Sequence, residues 1–219
     1  MGPVGPVPEL YGETPALINR RRVLAGAAAF AVAGRAAAQL GRPESRARAL
    51  RWDGRARLST GDQILDLSVQ TRVEPFGRSV SRSWITRQGS WTARTMTVGP
   101  DGGWVERDGR RSPMPARQAL HERQQFAIYG YMLDALSADR EGPATFARPG
   151  LPPAKLSTAG GRLLDGRYEV ARPDRDGTYV QELIFEGAQS PSGWPRRMTM
   201  INLDMRFVLD FDVFVMEPA

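Results

Sequence analysis

"LRWDGRARLSTGDQILDLSVQTRV", residues 50–73, repeats with a period of two. Leu50, Trp52, Gly54, Ala56 and Leu58 alternate with Arg51, Asp53, Arg55 and Arg57, and Leu65, Leu67, Val69, Thr71 and Val73 alternate with Asp66, Ser68, Gln70 and Arg72. Successive side chains of a strand point to opposite faces, so this pattern predicts two half-buried antiparallel strands with one apolar and one wet face. Between them "STGD", Ser59 to Asp62, makes a hairpin loop and sets Arg55 opposite Asp66 on the wet face.

Turn signals continue outward from this hairpin at Pro75 to Arg78, Gln88 with Gly89, Gly99 to Gly103, and Asp108 with Gly109. They separate short segments around Val80 to Thr86, Trp91 to Val98 and Trp104 to Arg107, a meander of about six strands. After "SPMP" the period changes. "ARQALHERQQFAIYGYMLDAL" places Leu120, Ala127 and Tyr131, and Phe126, Leu133 and Leu136, at helical spacings, which predicts one helix from Pro115 to Ala138 with Gly130 as its weak point. A loop rich in Gly and Pro, Glu141 to Gly161, precedes four further strands near Leu163 to Ala171, Thr178 to Phe185, Arg196 to Leu203 and Arg206 to Met216. The last is read with Phe207, Leu209, Phe211, Val213 and Val215 on one face. The fold class is mainly β: an incomplete antiparallel barrel of about 10 strands with a helical lid inserted after the sixth, since so many strands curl rather than stay flat.

The amino-terminal stretch has a different grammar. "INRRRVLAGAAAFAVAGRAAAQ" runs three arginines into a small-residue apolar segment that Arg35 closes. It is too short for a spanning helix, which needs about 20 apolar residues. Arg20 and Arg21 ahead of Val23 and Leu24 resemble a twin-arginine export signal, and Ala36 and Ala38 supply the small residues of a cleavage site. This predicts a signal peptide with a long leader over residues 1–38, a single domain over 39–219, export through the twin-arginine translocase, a periplasmic location and no permanent membrane anchor.

Arg20, Arg21, Arg22 and Arg35 against Glu9 and Glu13 account for +2 of the formal charge of +6. The remainder is a modest excess, not a nucleic-acid footprint. The chain contains no cysteine, which removes disulfides, thiolate catalysis and the residue on which a lipoprotein anchor is built. Catalytic motifs fail residue by residue. His121 and Glu122 begin "HERQQ", but residue 125 is glutamine and the chain has a single histidine, so the zinc-protease helix fails and a histidine-based serine triad would also have to use His121. No Gly-x-Ser-x-Gly elbow accompanies His121. "DRDG", Asp174 to Gly177, reads as a hairpin turn because Leu183 stands where a calcium loop needs glutamate. Asp210 and Asp212 in "LDFDVF" share a face, but alternate acidic residues opposite an apolar face are the normal outside of a sheet.

Three segments carry a resemblance. "RWDGRARLS", "GPDGGWVERDGRRSPMP" and the closing stretch "YVQELIFEGAQ" with "WPRRMTMINLDMRFVLDFDVF" resemble the strands and hairpins of the periplasmic lipoprotein carrier superfamily, the LolA and LolB group. The resemblance implies an incomplete barrel whose helix lids an apolar cavity, a non-catalytic function and no cofactor. Its implied ligand is a lipid or a lipoprotein acyl chain. On this reading the wall comprises Leu50, Trp52, Leu67, Val69, Trp84, Phe185, Met200, Phe207, Leu209 and Phe211, with Phe126 and Tyr129 on the lid and Arg82 facing an anionic headgroup. Two alternatives stay open: a filled barrel that serves as an interaction module with an envelope protein partner, and a cofactor-dependent periplasmic enzyme.

Overall fold

The computed structural model describes residues 48–138, 140–188 and 193–218. The export signal read at Arg20, Arg21, Ala36 and Ala38, and the domain boundary at residue 39, lie outside the described residues. Six strands come first: β1 (Arg48–Thr60), β2 (Gln63–Val73), β3 (Ser79–Ile85), β4 (Arg94–Gly99), β5 (Gly102–Arg107) and β6 (Arg110–Pro113). Helix α1 (Ala116–Ser137) follows, then β7 (Gly142–Arg148), β8 (Leu151–Ala159), β9 (Arg162–Ala171), β10 (Thr178–Ala188), β11 (Pro195–Asn202) and β12 (Met205–Pro218). All join one antiparallel sheet in the order β6-β5-β4-β3-β2-β1-β12-β11-β10-β9-β8-β7.

The order explains the shape. β1 and β12 pair at the centre of the sheet, so its two edges are β6 and β7, the strands that α1 connects. A sheet this wide twists and curls. The helix spans the gap this leaves, packing on β4 and β5 to one side and on β7, β8 and β9 to the other. The result is an unclosed barrel with a helical lid after the sixth strand, as the alternation predicted. The edges are blunted: β6 is four exposed residues ending at Pro113, and β7 opens with Gly142 and Pro143.

The helix matches its predicted span, with Pro115 at the capping position. Residues 127–132 are all buried because sheet edges flank them on two sides. Gly130 is needed there: a Cβ would come 2.6 Å from Cζ of Phe76. Phe76 itself sits at φ 61 in the β2–β3 turn, its ring 5.1 Å from Tyr131 and under the Arg148 guanidinium at 4.9 Å.

Four expectations are corrected. The segment read as a Gly- and Pro-rich loop, Glu141 to Gly161, holds β7 and β8, which raises the strand count to 12. Pro152 and Pro153 fit in β8 because pairing with β9 begins only at Ala154, so no ladder hydrogen bond is lost there. The first hairpin turns through Gly61 and Asp62 alone, with Thr60 opposite Gln63, and this places Arg57 rather than Arg55 against Asp66, at 2.8 Å. Trp91, read as part of a strand, lies in a single helical turn, Ser90–Thr92, ahead of β4. Lastly, a bulge between Asp53 and Gly54 on β1 leaves Asp212 unpaired on β12, so Phe211 and Phe214 point inward while Val213 and Val215 turn outward. Gly54 allows the close approach, since any Cβ there would strike the Asp210 carbonyl oxygen.

Candidate functional site

Cross-strand register sorts the inner face into rows, because residues directly opposite each other share a face. One row runs Leu65, Leu58, Phe207, Met200, Leu183. The next runs Ile85, Leu67, Ala56, Leu209, Met198, Phe185. Further along β1 come Gly54 with Val69 and Phe211, then Trp52 with Thr71 and Phe214.

Burial along these rows is graded. Away from the β1–β2 turn the inner face is sealed: Leu50 and Val73 are fully buried, and Trp52, Leu209 and Phe211 nearly so. Aromatic rings fill that end. Trp52 lies 4.4 Å from Tyr129 and 5.7 Å from Phe211, and Trp194 stacks on Phe214 at 4.3 Å. Toward the end that carries the β1–β2, β3–β4 and β11–β12 connections, inward-pointing Leu58, Leu65, Leu67, Ile85, Met96, Met200 and Phe207 are only half-buried. The trend recurs on β1, β2, β3, β4, β11 and β12. The helix therefore covers one end of the apolar face and leaves a shelf uncovered at the other.

A polar collar borders this shelf. The Gln125 side-chain amide donates to the Tyr179 hydroxyl at 3.0 Å and accepts from the Tyr168 hydroxyl at 2.7 Å. Nδ1 of His121 lies 2.8 Å from the Ala171 carbonyl oxygen, which can only accept, so that nitrogen carries the proton. Gln124 takes the Ala171 N–H at 2.7 Å. His121 and Gln124 thus pin the helix to the end of β9, which is a structural use of the single histidine. Desolvation holds the Glu122 carboxyl above its ordinary range, with His121 and Arg94 pulling the other way. Burial pushes the Tyr179 hydroxyl up to about 12, against the opposing hydrogen bond from Gln125. Gln181 is fully buried on β10, two residues from Leu183, and its Nε2 has no hydrogen-bond partner. Its Oε1 accepts from the Gln125 amide at 3.4 Å, which ties β10 to the helix.

Eleven of the thirteen sequence-derived wall and lid residues come together here. Leu50, Trp52, Val69, Tyr129, Phe185, Leu209 and Phe211 lie in the main core, with Leu67, Phe126, Met200 and Phe207 packed half-buried against it. Arg82 and Trp84 do not join them. Their partners Gln70 and Ser68 lie on the outer face, so Ser79, Ser81 and Ser83 point inward instead. Arg82 rests over the Trp84 ring at 5.5 Å and donates to the Ser90 carbonyl at 3.1 Å. The inward serines are small and polar, and the Ser81 and Thr71 hydroxyls satisfy each other at 2.9 Å.

Two voids bear on binding. A recess of about 580 Å³ lies on the outer face, lined by Arg55, Arg57, Asp66, Arg197 and Asp210 among others. Three of its arginines are already paired, Arg57–Asp66 at 2.8 Å, Arg197–Asp210 at 2.6 Å and Arg55–Asp212 at 3.3 Å, which separates the two aspartates of "LDFDVF" into different ion pairs, while Arg206 and Glu186 also line it. Between the helix and β3, β4 and β8 the void lined by Phe76, Phe126 and Leu151 is about 10 Å³, scarcely room for one water. Among the described residues no group of His, Cys, Asp and Glu could hold a metal, and no helix is long and apolar enough to cross a membrane.

No protein-family model matches the chain, and no curated protein matches it. Among solved structures it is similar to a putative outer membrane lipoprotein-sorting protein domain from Vibrio parahaemolyticus, at 11% identity and TM-score 0.41, covering 79% of this chain and 86% of that one. It is also similar to a LolA superfamily protein from Nitrosomonas europaea, at 10% identity and TM-score 0.42 over 78% and 86% of the two chains. A DUF1329 family protein from Desulfovibrio piger stands at 12% identity and TM-score 0.39, over 78% and 86%. Identities and TM-scores this low say nothing of ligand or activity.

Proposed function

We propose that this chain is an exported, soluble, non-catalytic binding protein that holds a lipid or lipoprotein acyl chain along the uncovered shelf of its unclosed barrel. The observation that carries this reading is the burial gradient: inward-facing Leu58, Leu67, Met200 and Phe207 are left half-exposed where a finished core would be sealed. A flexible methionine and a ring at the shelf suit loose selection of chain length. Export to the periplasm through the twin-arginine translocase rests on the Arg20 and Arg21 pair and the alanines at 36 and 38.

A second reading keeps the barrel solid and makes the chain an interaction module for an envelope protein. The ring cluster around Trp52 and Trp194 and the 10 Å³ void under the helix favour it. Native mass spectrometry of protein purified from its own envelope separates the two. The binding protein carries a co-purified adduct of lipid mass that denaturation releases. A bare mass, unchanged after incubation with phospholipid, sinks the lipid reading.

A further inference from the structure

The outer face of the sheet carries two kinds of arginine. On β1, β2, β11 and β12, Arg51, Arg55, Arg57, Arg72 and Arg197 each hold a carboxylate within 4 Å, whereas Arg206 on β12 is in no ion pair among the described residues. On β3 to β6 the arrangement differs. Arg111 lies 3.8 Å above the Trp104 ring with Arg78 also over it at 5.6 Å, and Arg82 lies over Trp84 at 5.5 Å. No ion pair among the described residues involves Arg78, Arg82 or Arg111, all exposed. Register places the two indoles on the outer face, Trp104 beside Thr97 and Trp84 beside Ser68. Beyond them, on the β3–β4 connection, Trp91 is 82% exposed, and Ile64 at the start of β2 and Leu203 on the β11–β12 turn are 64% and 86% exposed. These are the three most exposed large apolar side chains described, and they stand at the end where the shelf opens.

We propose that the outer face of β3 to β6 and the Trp91 tip form a docking surface for an anionic bilayer. Glu106 stands opposite Arg111 on this face but pairs with none of the three arginines, so the patch keeps an excess of positive charge, which phosphodiester headgroups match. Indoles are amphipathic and settle at the headgroup level. Isolated apolar tips on separate hairpins suit insertion into a soft interface, whereas a protein partner needs a continuous packed patch. The orientation that sets Trp91, Ile64 and Leu203 into the headgroups also sets the shelf toward the bilayer. Docking does not require the shelf to bind lipid, so the two proposals fail separately.

The test is co-sedimentation of the chain with vesicles of phosphatidylcholine alone and with phosphatidylglycerol mixed in. The expected result is binding to the anionic vesicles only, weakened by salt. Replacing Arg78, Arg82 and Arg111 together by alanine should lower that affinity about a hundredfold, from roughly a kcal/mol per arginine at an anionic surface. The control Arg51, Arg55 and Arg57 to alanine removes the same charge from the paired region and should lose only a few-fold. Trp91→Ala should reduce the quenching of protein fluorescence by brominated lipid, leaving the part that Trp84 and Trp104 contribute from the same face. Thermal melts confirm that each variant is folded, and uptake of a fluorescent fatty acid from solution should not change. Equal losses in both triple variants, binding to neutral vesicles, or binding to a single-stranded oligonucleotide but not to anionic vesicles would each overturn the proposal.

Discussion

Truncating two phenylalanines on the same strand separates a sealed core from an open shelf. Phe211 is 2% exposed and touches Trp52 at 5.7 Å and Trp194 at 6.0 Å, each edge to face. Phe211→Ala loses the transfer energy of a buried ring, leaves a cavity and breaks its edge-to-face contacts with Trp52, Trp194 and Phe214, so the cost should be about 4 kcal/mol. Phe207 lies four residues away on the same inner face but is half-buried in the open row. Phe207→Ala removes about half a ring's worth of buried surface and opens no closed cavity, a cost of about 1 kcal/mol. For a domain of this size each kcal/mol moves the melting temperature by roughly 2–4 °C, so drops of roughly 8–16 °C and 2–4 °C are expected. Thermal melts of the two variants without lipid, followed by circular dichroism, measure both. Equal drops would refute the gradient, because they would mean that the row at Phe207 is as tightly filled as the row at Phe211.

Three further outcomes follow. Gly130→Ala should destabilise by roughly 1–3 kcal/mol in urea titrations, since the new methyl group displaces the Phe76 ring from Tyr131 and from under Arg148. Glu122 has its folded-state pKa raised by desolvation, so it favours folding only while protonated: relative to Glu122→Gln, the parent should lose stability as pH rises above about 4.5 and match the variant below that pH, as read from melts across a pH series. Replacing Arg20, Arg21 and Arg22 together by lysine keeps the charge but should leave uncleaved precursor in the cytoplasm by immunoblot, while the parent should mature to a terminus at Gln39.

Alternation and helical spacing made most of the architecture legible, because a half-buried strand and a packed helix must carry those periods. The helix and the meander on either side of it were readable for that reason. Three features leave no trace in the period. Pro152 and Pro153 look like a loop, yet β8 accepts them where it has no second neighbour. The bulge at Asp212 moves Val213 and Val215 outward without changing the alternation of residue types. On β3 the alternation of Val80, Arg82 and Trp84 with Ser79, Ser81 and Ser83 was visible, but which set faces the core depends on pairing with β2. The polar collar was invisible for another reason: Gln125, Tyr168, Tyr179 and Gln181 are distant in sequence and gain meaning only when the helix crosses β9 and β10. Phe207, Leu67 and Met200 were legible as inward-facing, but no sequence pattern says which inward residues the helix leaves uncovered.

The most direct test of the shelf is calorimetric titration of the lipid-free chain with a soluble fatty acid. Saturable binding of one molecule with roughly micromolar affinity, about −8 kcal/mol, is predicted. Phe207→Ala should weaken it several-fold and Asp212→Ala, on the outer face, should not. No saturable heat from a folded chain, or a loss at Asp212→Ala equal to that at Phe207→Ala, would contradict a ligand held on the inner shelf.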